Sequence, residues 1–219
     1  MRVRMTDIFQ GTFEQRDEAA KQLLRIEDSF DLIRRRFMIG GKQAAFYTVD
    51  GFLKGEVSEK VMEFFYKITE EQMPEDFAGF LQQQIPYLDL MKVADQEMFV
   101  KLVLSGMSCL MVEGYDIILA LDFREYPSRS VDEPDKDKVL RGSRDGFIES
   151  LIPNMALIRR RIRDTDLSFE LVDVGRSSKT DVAICYMQNR VNPGVLREVQ
   201  KRLKGIDVDS LCFAYNRSQ

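Results

Sequence analysis

Histidine is absent from all 219 residues. Without imidazole, Ser-His-Asp and Cys-His arrangements cannot be assembled, and His-ligated metals are excluded. Cys109, Cys185 and Cys212 are widely spaced, show no CxxC pattern and sit in apolar, strand-like runs. They read as reduced, buried, inert thiols of a cytosolic protein. Asp132, Glu133, Asp135 and Asp137 crowd one stretch. With no turn glycine and no closing bidentate glutamate, they read as solvated charges and not as a calcium loop. Gly40-Gly41 and Arg141-Gly142-Ser143 lack the phosphate-loop and dinucleotide spacings. Ser177-Ser178-Lys179 falls in a hairpin loop, where turn chemistry accounts for it and Asp181 would pair Lys179 or Arg176. No catalytic set, metal site or cofactor site emerges, so an enzyme is not expected. The chemistry that remains is cationic, in Arg159, Arg160, Arg161 and Arg163.

Those arginines end a helix. Ser143 or Asp145 can cap its first turn by accepting an otherwise unpaired N–H. Ile148, Leu151, Ile152, Met155, Ile158 and Ile162 follow at helical spacing as one apolar stripe. The cations then meet the negative end of the helix dipole. Pro153 interrupts the pattern and predicts a kink or break between Glu149 and Asn154.

Upstream, residues 12–26 read as a helix capped by Thr12. Residues 31–39 and 43–49 form a hairpin around Gly40-Gly41. Helices follow at about 58–68 and 74–84, then a buried strand at 87–93 and a helix at 95–104 capped by Asp95. Residues 107–112 and 115–121 flank Glu113-Gly114, a two-residue hairpin connection. Downstream of the arginines, 167–174 and 181–187 make a second hairpin. Asn192 caps a helix with Pro193 at its first position, where the missing N–H is harmless. Leu196, Val199 and Leu203 face inward, Gly205 closes the helix, and 211–215 would be a final strand. Both hairpins are strand–turn–strand–helix units, an internal echo between the two halves.

Residues 124–138 collect Pro127, Ser128, Ser130, Pro134 and many charges. The sequence therefore predicts two small mixed-sheet α/β subdomains, 12–123 and 140–219, joined by a polar linker at 124–139. Limited proteolysis is expected to cut first within 124–138, where turn formers cluster. Protection of that segment with rapid cutting inside 148–162 would count against the division.

The net charge of −4 is uneven: 14 Lys+Arg against 21 Asp+Glu up to Asp122, and 18 against 15 beyond it. The basic half lacks aromatic interleaving and any nucleic-acid motif, so an anionic membrane surface or an acidic protein suits it better than nucleic acid. No apolar run approaches the ~20 residues of a membrane helix. No signal peptide is expected either.

The run at 129–163, RSVDEPDKDKVLRGSRDGFIESLIPNMALIRRRIR, resembles the most characteristic block of the A subunits of GerA-type spore germinant receptors. LVDVGRSSKTDVAICYMQNRVNPGVLREVQKRL, at 171–203, resembles that family's next block. IGGKQAAFYTVDGFL, at 39–53, carries a looser likeness, and Ser143 stands where the family usually has proline. The resemblance singles out as interface candidates Arg129, Asp132, Glu133, Pro134, Arg141, Gly142, Arg144, Asp145, Gly146, Phe147, Glu149 and Asn154. It adds Arg159, Arg160, Arg161, Arg163, Lys179, Thr180, Asp181, Asn192 and Pro193. It implies a cytoplasmic N-terminal domain on the core-facing side of the spore inner membrane, tethered by membrane helices and acting in assembly, gating or signal relay. The implied partners are a transporter-like B subunit, a lipoprotein C subunit and further copies joined through the membrane domain. A related stage-V sporulation membrane protein shares these motifs. Two other readings stay open: a small-molecule nutrient site in a cleft between the subdomains, and a pure interaction scaffold.

Overall fold

The computed structural model describes residues 7–53, 55–85, 89–126 and 147–209. The expected segments at 211–215 and 127–146, with Cys212, Ser143, Tyr87 and Leu88, lie outside those residues.

The chain opens with α1 (Phe13–Leu24). Thr12 accepts from the Gln15 amide and Gln15 reaches back to the Thr12 amide, closing a capping box. The hairpin of β1 (Leu32–Ile39) and β2 (Lys42–Val49) follows. Gly40 and Gly41 take φ of 51° and 75°, the paired left-handed values that let a tight turn match strand twist. Next come α2 (Gly55–Lys67) and α3 (Phe77–Gln84), the latter capped by Asp76. After β3 (Asp89–Lys92) and α4 (Gln96–Leu104, capped by Asp95), β4 (Ser108–Val112) and β5 (Ile118–Asp122) complete a sheet ordered β1-β2-β4-β5-β3. Every pair in that sheet is antiparallel. The class is α/β, with helices on both faces. On one face Phe13, Ala20 and Leu24 of α1 join Phe99 and Val103 of α4. On the other, Val61 and Phe65 of α2 join Phe77 and Leu81 of α3. The central strands β2, β4 and β5 are buried along most of their length, as strands covered on both faces must be.

Two expectations change here. The run predicted as a buried strand at 87–93 gives an edge strand, with Asp89, Met91 and Lys92 exposed, because β3 pairs only with β5 among the described residues. The link at Glu113-Gly114 is longer than two residues, since Met111 pairs with Ile118. Tyr115 is drawn under α3, its ring 5.1 Å from Phe77 and its hydroxyl donating to the Pro74 carbonyl at 2.6 Å.

Beyond residue 146 a second, smaller layer begins. Here α5 (Leu151–Arg161), β6 (Leu167–Val174), β7 (Thr180–Met187) and α6 (Pro193–Lys204) follow in order. The hairpin β6–β7 is antiparallel over eight pairs. Leu167 and Phe169 meet Met155 of α5 on one face, while Glu170, on the other, accepts from Gln200 of α6 at 2.6 Å. Thus α1-β1-β2-α2 and α5-β6-β7-α6 share one order: helix, two eight-residue strands, helix. That is the echo expected from the sequence, extended by a helix in front of each hairpin.

The helix expected to start at Ser143 or Asp145 begins at Leu151, and residues 147–150 are not helical. Pro153 therefore sits in the first turn, where the absent N–H has no intrahelical carbonyl to lose. The kink or break expected between Glu149 and Asn154 is not found within the helix, which starts at Leu151 and runs unbroken through Pro153. Ile148 and Ile162, predicted in the apolar stripe, are left exposed. Among the described residues no helix is long and apolar enough to cross a membrane.

Candidate functional site

The two layers meet through α5, which serves both. Ala156 belongs to the core around α1 and α4, whereas Met155 belongs to the core over β6. Gly51, just after β2, makes the close approach possible. Its φ is +79°, and a Cβ there would sit 3.0 Å from both the Ala156 Cβ and the Ile152 Cγ2. Gly51→Ala is expected to cost about 1–2 kcal/mol for the left-handed backbone alone, with the contact adding to it. An unchanged denaturant midpoint would show that α5 yields at this point.

One turn beyond Met155 on the same face lies Arg159, fully buried. Its Nε donates to Asp31 at 2.7 Å and its Nη2 to the other oxygen of that carboxylate at 2.9 Å. The remaining donors reach the Asp164 and Leu167 carbonyls at 2.7 and 2.9 Å and the Ser29 hydroxyl at 3.2 Å. The guanidinium carbon stands 5.4 Å from the Phe169 ring centroid. Ser29 in turn donates to Asp31 at 2.6 Å and accepts from the Phe169 amide at 3.0 Å. The Phe30 amide donates to the Phe169 carbonyl at 2.9 Å, tying β6 to the start of β1. Burying an ion pair is costly unless the remaining donors and acceptors are satisfied, and here they are. Around this buried knot, Arg25 pairs with Asp166 and Asp28. Arg160 lies 4.6 Å over the Tyr126 ring, whose hydroxyl donates to the Ser105 carbonyl at 2.8 Å.

Arg159, proposed from sequence as part of a surface cluster, is thus a structural residue that cannot meet lipid or another subunit. The sequence held a signal for this: Arg159 follows Met155 by four and Ile152 by seven, in the inward row, whereas Arg160, Arg161 and Arg163 do not. Ser29, Asp31 and Asp166 were missed altogether, and nothing local marks them.

Other candidates serve local structure. Asn154 clamps residue 148 through its amide and carbonyl, at 2.8 and 2.6 Å. Lys179 takes a left-handed φ of 42° in the second hairpin's turn, and the Thr180 hydroxyl donates to Ser178. Asn192 accepts from the Gly194 and Val195 amides, and Pro193 opens α6. Asp181 does not pair with Arg176; that arginine binds Asp207 and Asp209 at 3.2 and 3.1 Å, which brings the chain after α6 against the turn. Phe147, Glu149, Arg163 and Asp181 are exposed. Arg129, Asp132, Glu133, Pro134, Arg141, Gly142, Arg144, Asp145 and Gly146 lie outside the described residues. Cys109 is buried as expected and burial pushes its thiol up, whereas Cys185 is exposed.

A shallow cleft of about 370 Å³ lies beside the knot, lined by Glu27, Asp28, Phe30, Glu170, Tyr186 and others. Its acids already have partners: Glu27 meets Lys21 at 2.5 Å, Asp28 meets Arg25 at 3.1 Å, and Glu170 meets Gln200. Burial holds the Tyr186 phenol above its ordinary range.

Two antiparallel α/β layers are thus joined across the buried Arg159–Asp31 pair. The model of the Bacillus/Clostridium GerA spore germination protein family matches residues 20–215, and the chain belongs to that family. It is 33% identical over 199 residues to stage V sporulation protein AF of Bacillus subtilis, covering 90% of this chain and 40% of that one. It is 27% identical over 190 residues to the uncharacterized membrane protein YfkQ of the same organism, covering 86% of this chain and 37% of that one. The chain therefore spans well under half the length of these relatives. Its fold matches the crystal structure of the N-terminal domain of the A subunit of the Bacillus megaterium spore germinant receptor GerK3. There the TM-score is 0.68 at 22% identity, over 94% of this chain and 75% of that one.

Proposed function

We propose that this chain is the N-terminal, core-facing domain of a membrane protein of spore germination, and that it assembles and relays signal without catalysing a reaction. The observation that supports this reading is the Arg159–Asp31 junction. In this reading it holds the layer of β1–β5 and the layer of β6–β7 together as one body, so that a displacement of one is passed to the other. Exposed motif residues such as Phe147, Glu149, Arg163 and Asp181 would then face partners, the B and C subunits by the family's pattern. Further copies would join through the membrane domain. The relatives named for sporulation and for germination both fit such a role. A nutrient site in the cleft has less behind it, because its acids are already engaged.

Deleting this domain in frame from the full-length gene tests the reading. The expected result is loss of subunits that co-purify with the protein and loss of nutrient-triggered germination, with the membrane part still inserted. Full complexes and normal germination without the domain would reject it.

A further inference from the structure

The helix α6 covers its hairpin with only half of its surface. Leu196, Gln200 and Leu203 are half-buried against β6, and no residue of α6 is fully buried. Beside that inward row, Val195 and Val199 lie one turn apart and are 59% and 39% exposed. Arg202 continues their row, and past the Gly205 cap Ile206 and Val208 are exposed to a similar degree, 36% and 39%. The polar surface is cationic: Arg190, Arg197, Lys201, Arg202 and Lys204 are all exposed. Against these five stand three exposed acids, each with an arginine partner: Glu198, held by Arg202 at 2.9 Å, and past the cap Asp207 and Asp209, held by Arg176 at 3.2 and 3.1 Å.

We propose that this valine row and its flanking cations dock in the plane of an anionic lipid bilayer. A protein hot spot is built from aromatic or arginine anchors in a desolvated pocket, and two valines on a convex helix provide neither. A helix whose short apolar row is bordered by lysine and arginine fits the boundary between headgroups and acyl chains, where the carbon atoms leave water and the cations stay among phosphates. Each cation near such a surface strengthens binding by about fivefold, and the attraction fades within a Debye length. The proposal deepens the reading of a membrane-tethered domain. It assigns the lipid-facing role to α6 and not to the buried Arg159.

The test is co-sedimentation of this chain with phosphatidylcholine vesicles, with and without phosphatidylglycerol, at low and high salt. Binding is expected only to the phosphatidylglycerol vesicles at low salt. A Lys201→Gln/Lys204→Gln variant is expected to bind more than tenfold more weakly, and Val195→Ser/Val199→Ser to lose binding with a melting temperature within about 4 °C of the parent's, since neither valine is buried. Equal binding to neutral vesicles, no binding to either, or full binding by both variants would overturn the proposal. If vesicles are ignored while Val199→Glu in the full-length protein releases another subunit, the face docks protein and the lipid assignment is wrong. Because the vesicle assay uses this chain alone, its failure leaves the domain-deletion test of the proposed function intact.

Discussion

Arg159→Met is expected to cost about 3–5 kcal/mol, because Asp31 stays buried without its partner. For a chain of this size each kcal/mol shifts the melting temperature by about 2–4 °C, so a fall of roughly 10 °C should be read by calorimetry. The loss combines several terms. Five donor contacts disappear; the Asp31 carboxylate is left with the Ser29 hydroxyl at 2.6 Å and the Asp164 carbonyl with the Leu167 amide at 3.2 Å. Adding Asp31→Leu should restore much of the stability, since removing both charges leaves none unpaired. Arg163→Gln, at an exposed position, should stay within about 0.5 kcal/mol of the parent. A melting temperature for Arg159→Met equal to the parent's would mean that the pair contributes nothing to holding the layers together.

Asp17→Ala should produce the second large effect, about 3 kcal/mol, in the first layer. Asp17 is fully buried on α1. It accepts from the Tyr47 hydroxyl at 2.5 Å, from Arg36 Nε at 2.6 Å and from Arg34 Nη1 at 3.4 Å. Burial and the neighbouring carboxylate both hold the Tyr47 phenol far above its ordinary range, so it remains a neutral donor that needs this acceptor. Arg36 would keep Glu14 at 2.6 Å, but the Tyr47 hydroxyl would be left with the Met111 sulfur at 3.9 Å, a weak acceptor, beside Phe99. Asp17→Asn keeps a carbonyl for the phenol and should cost less than the alanine variant. Urea midpoints decide the matter: if Asp17→Ala and Asp17→Asn unfold with the parent, α1 is held by its apolar contacts alone.

What the sequence made legible was local. The Thr12 cap, the Gly40-Gly41 turn and the Asn192-Pro193 cap each depend on residues within three or four positions, and each stands where expected; that Gln15 closes a box on Thr12 was added by the structure. The resemblance carried the family correctly from two long blocks. What escaped depends on distance. The run at 87–93 is as apolar as a central strand, yet its place at the sheet's edge follows from strand order, which no local pattern encodes. The helix start moved to Leu151 because Asn154 captures residue 148 in a non-helical loop. Arg159 looked like its neighbours because four arginines in a row of five carry the same charge. Its partner Asp31 lies 128 residues upstream. Val199 was placed inward by its period, but the hairpin is too narrow to cover that flank of α6.

The way α5 divides its side chains between two cores has a consequence for fragments. A single cut between residues 126 and 147 breaks the covalent path but none of the contacts among Gly51, Ala156, Asp31 and Arg159. The nicked halves should therefore travel as one species through gel filtration and part only in denaturant. Expressed separately, they should behave as complementing pieces, each marginal alone and reassembling when mixed. Arg159→Met should abolish that recombination at concentrations where the parent pieces still find each other.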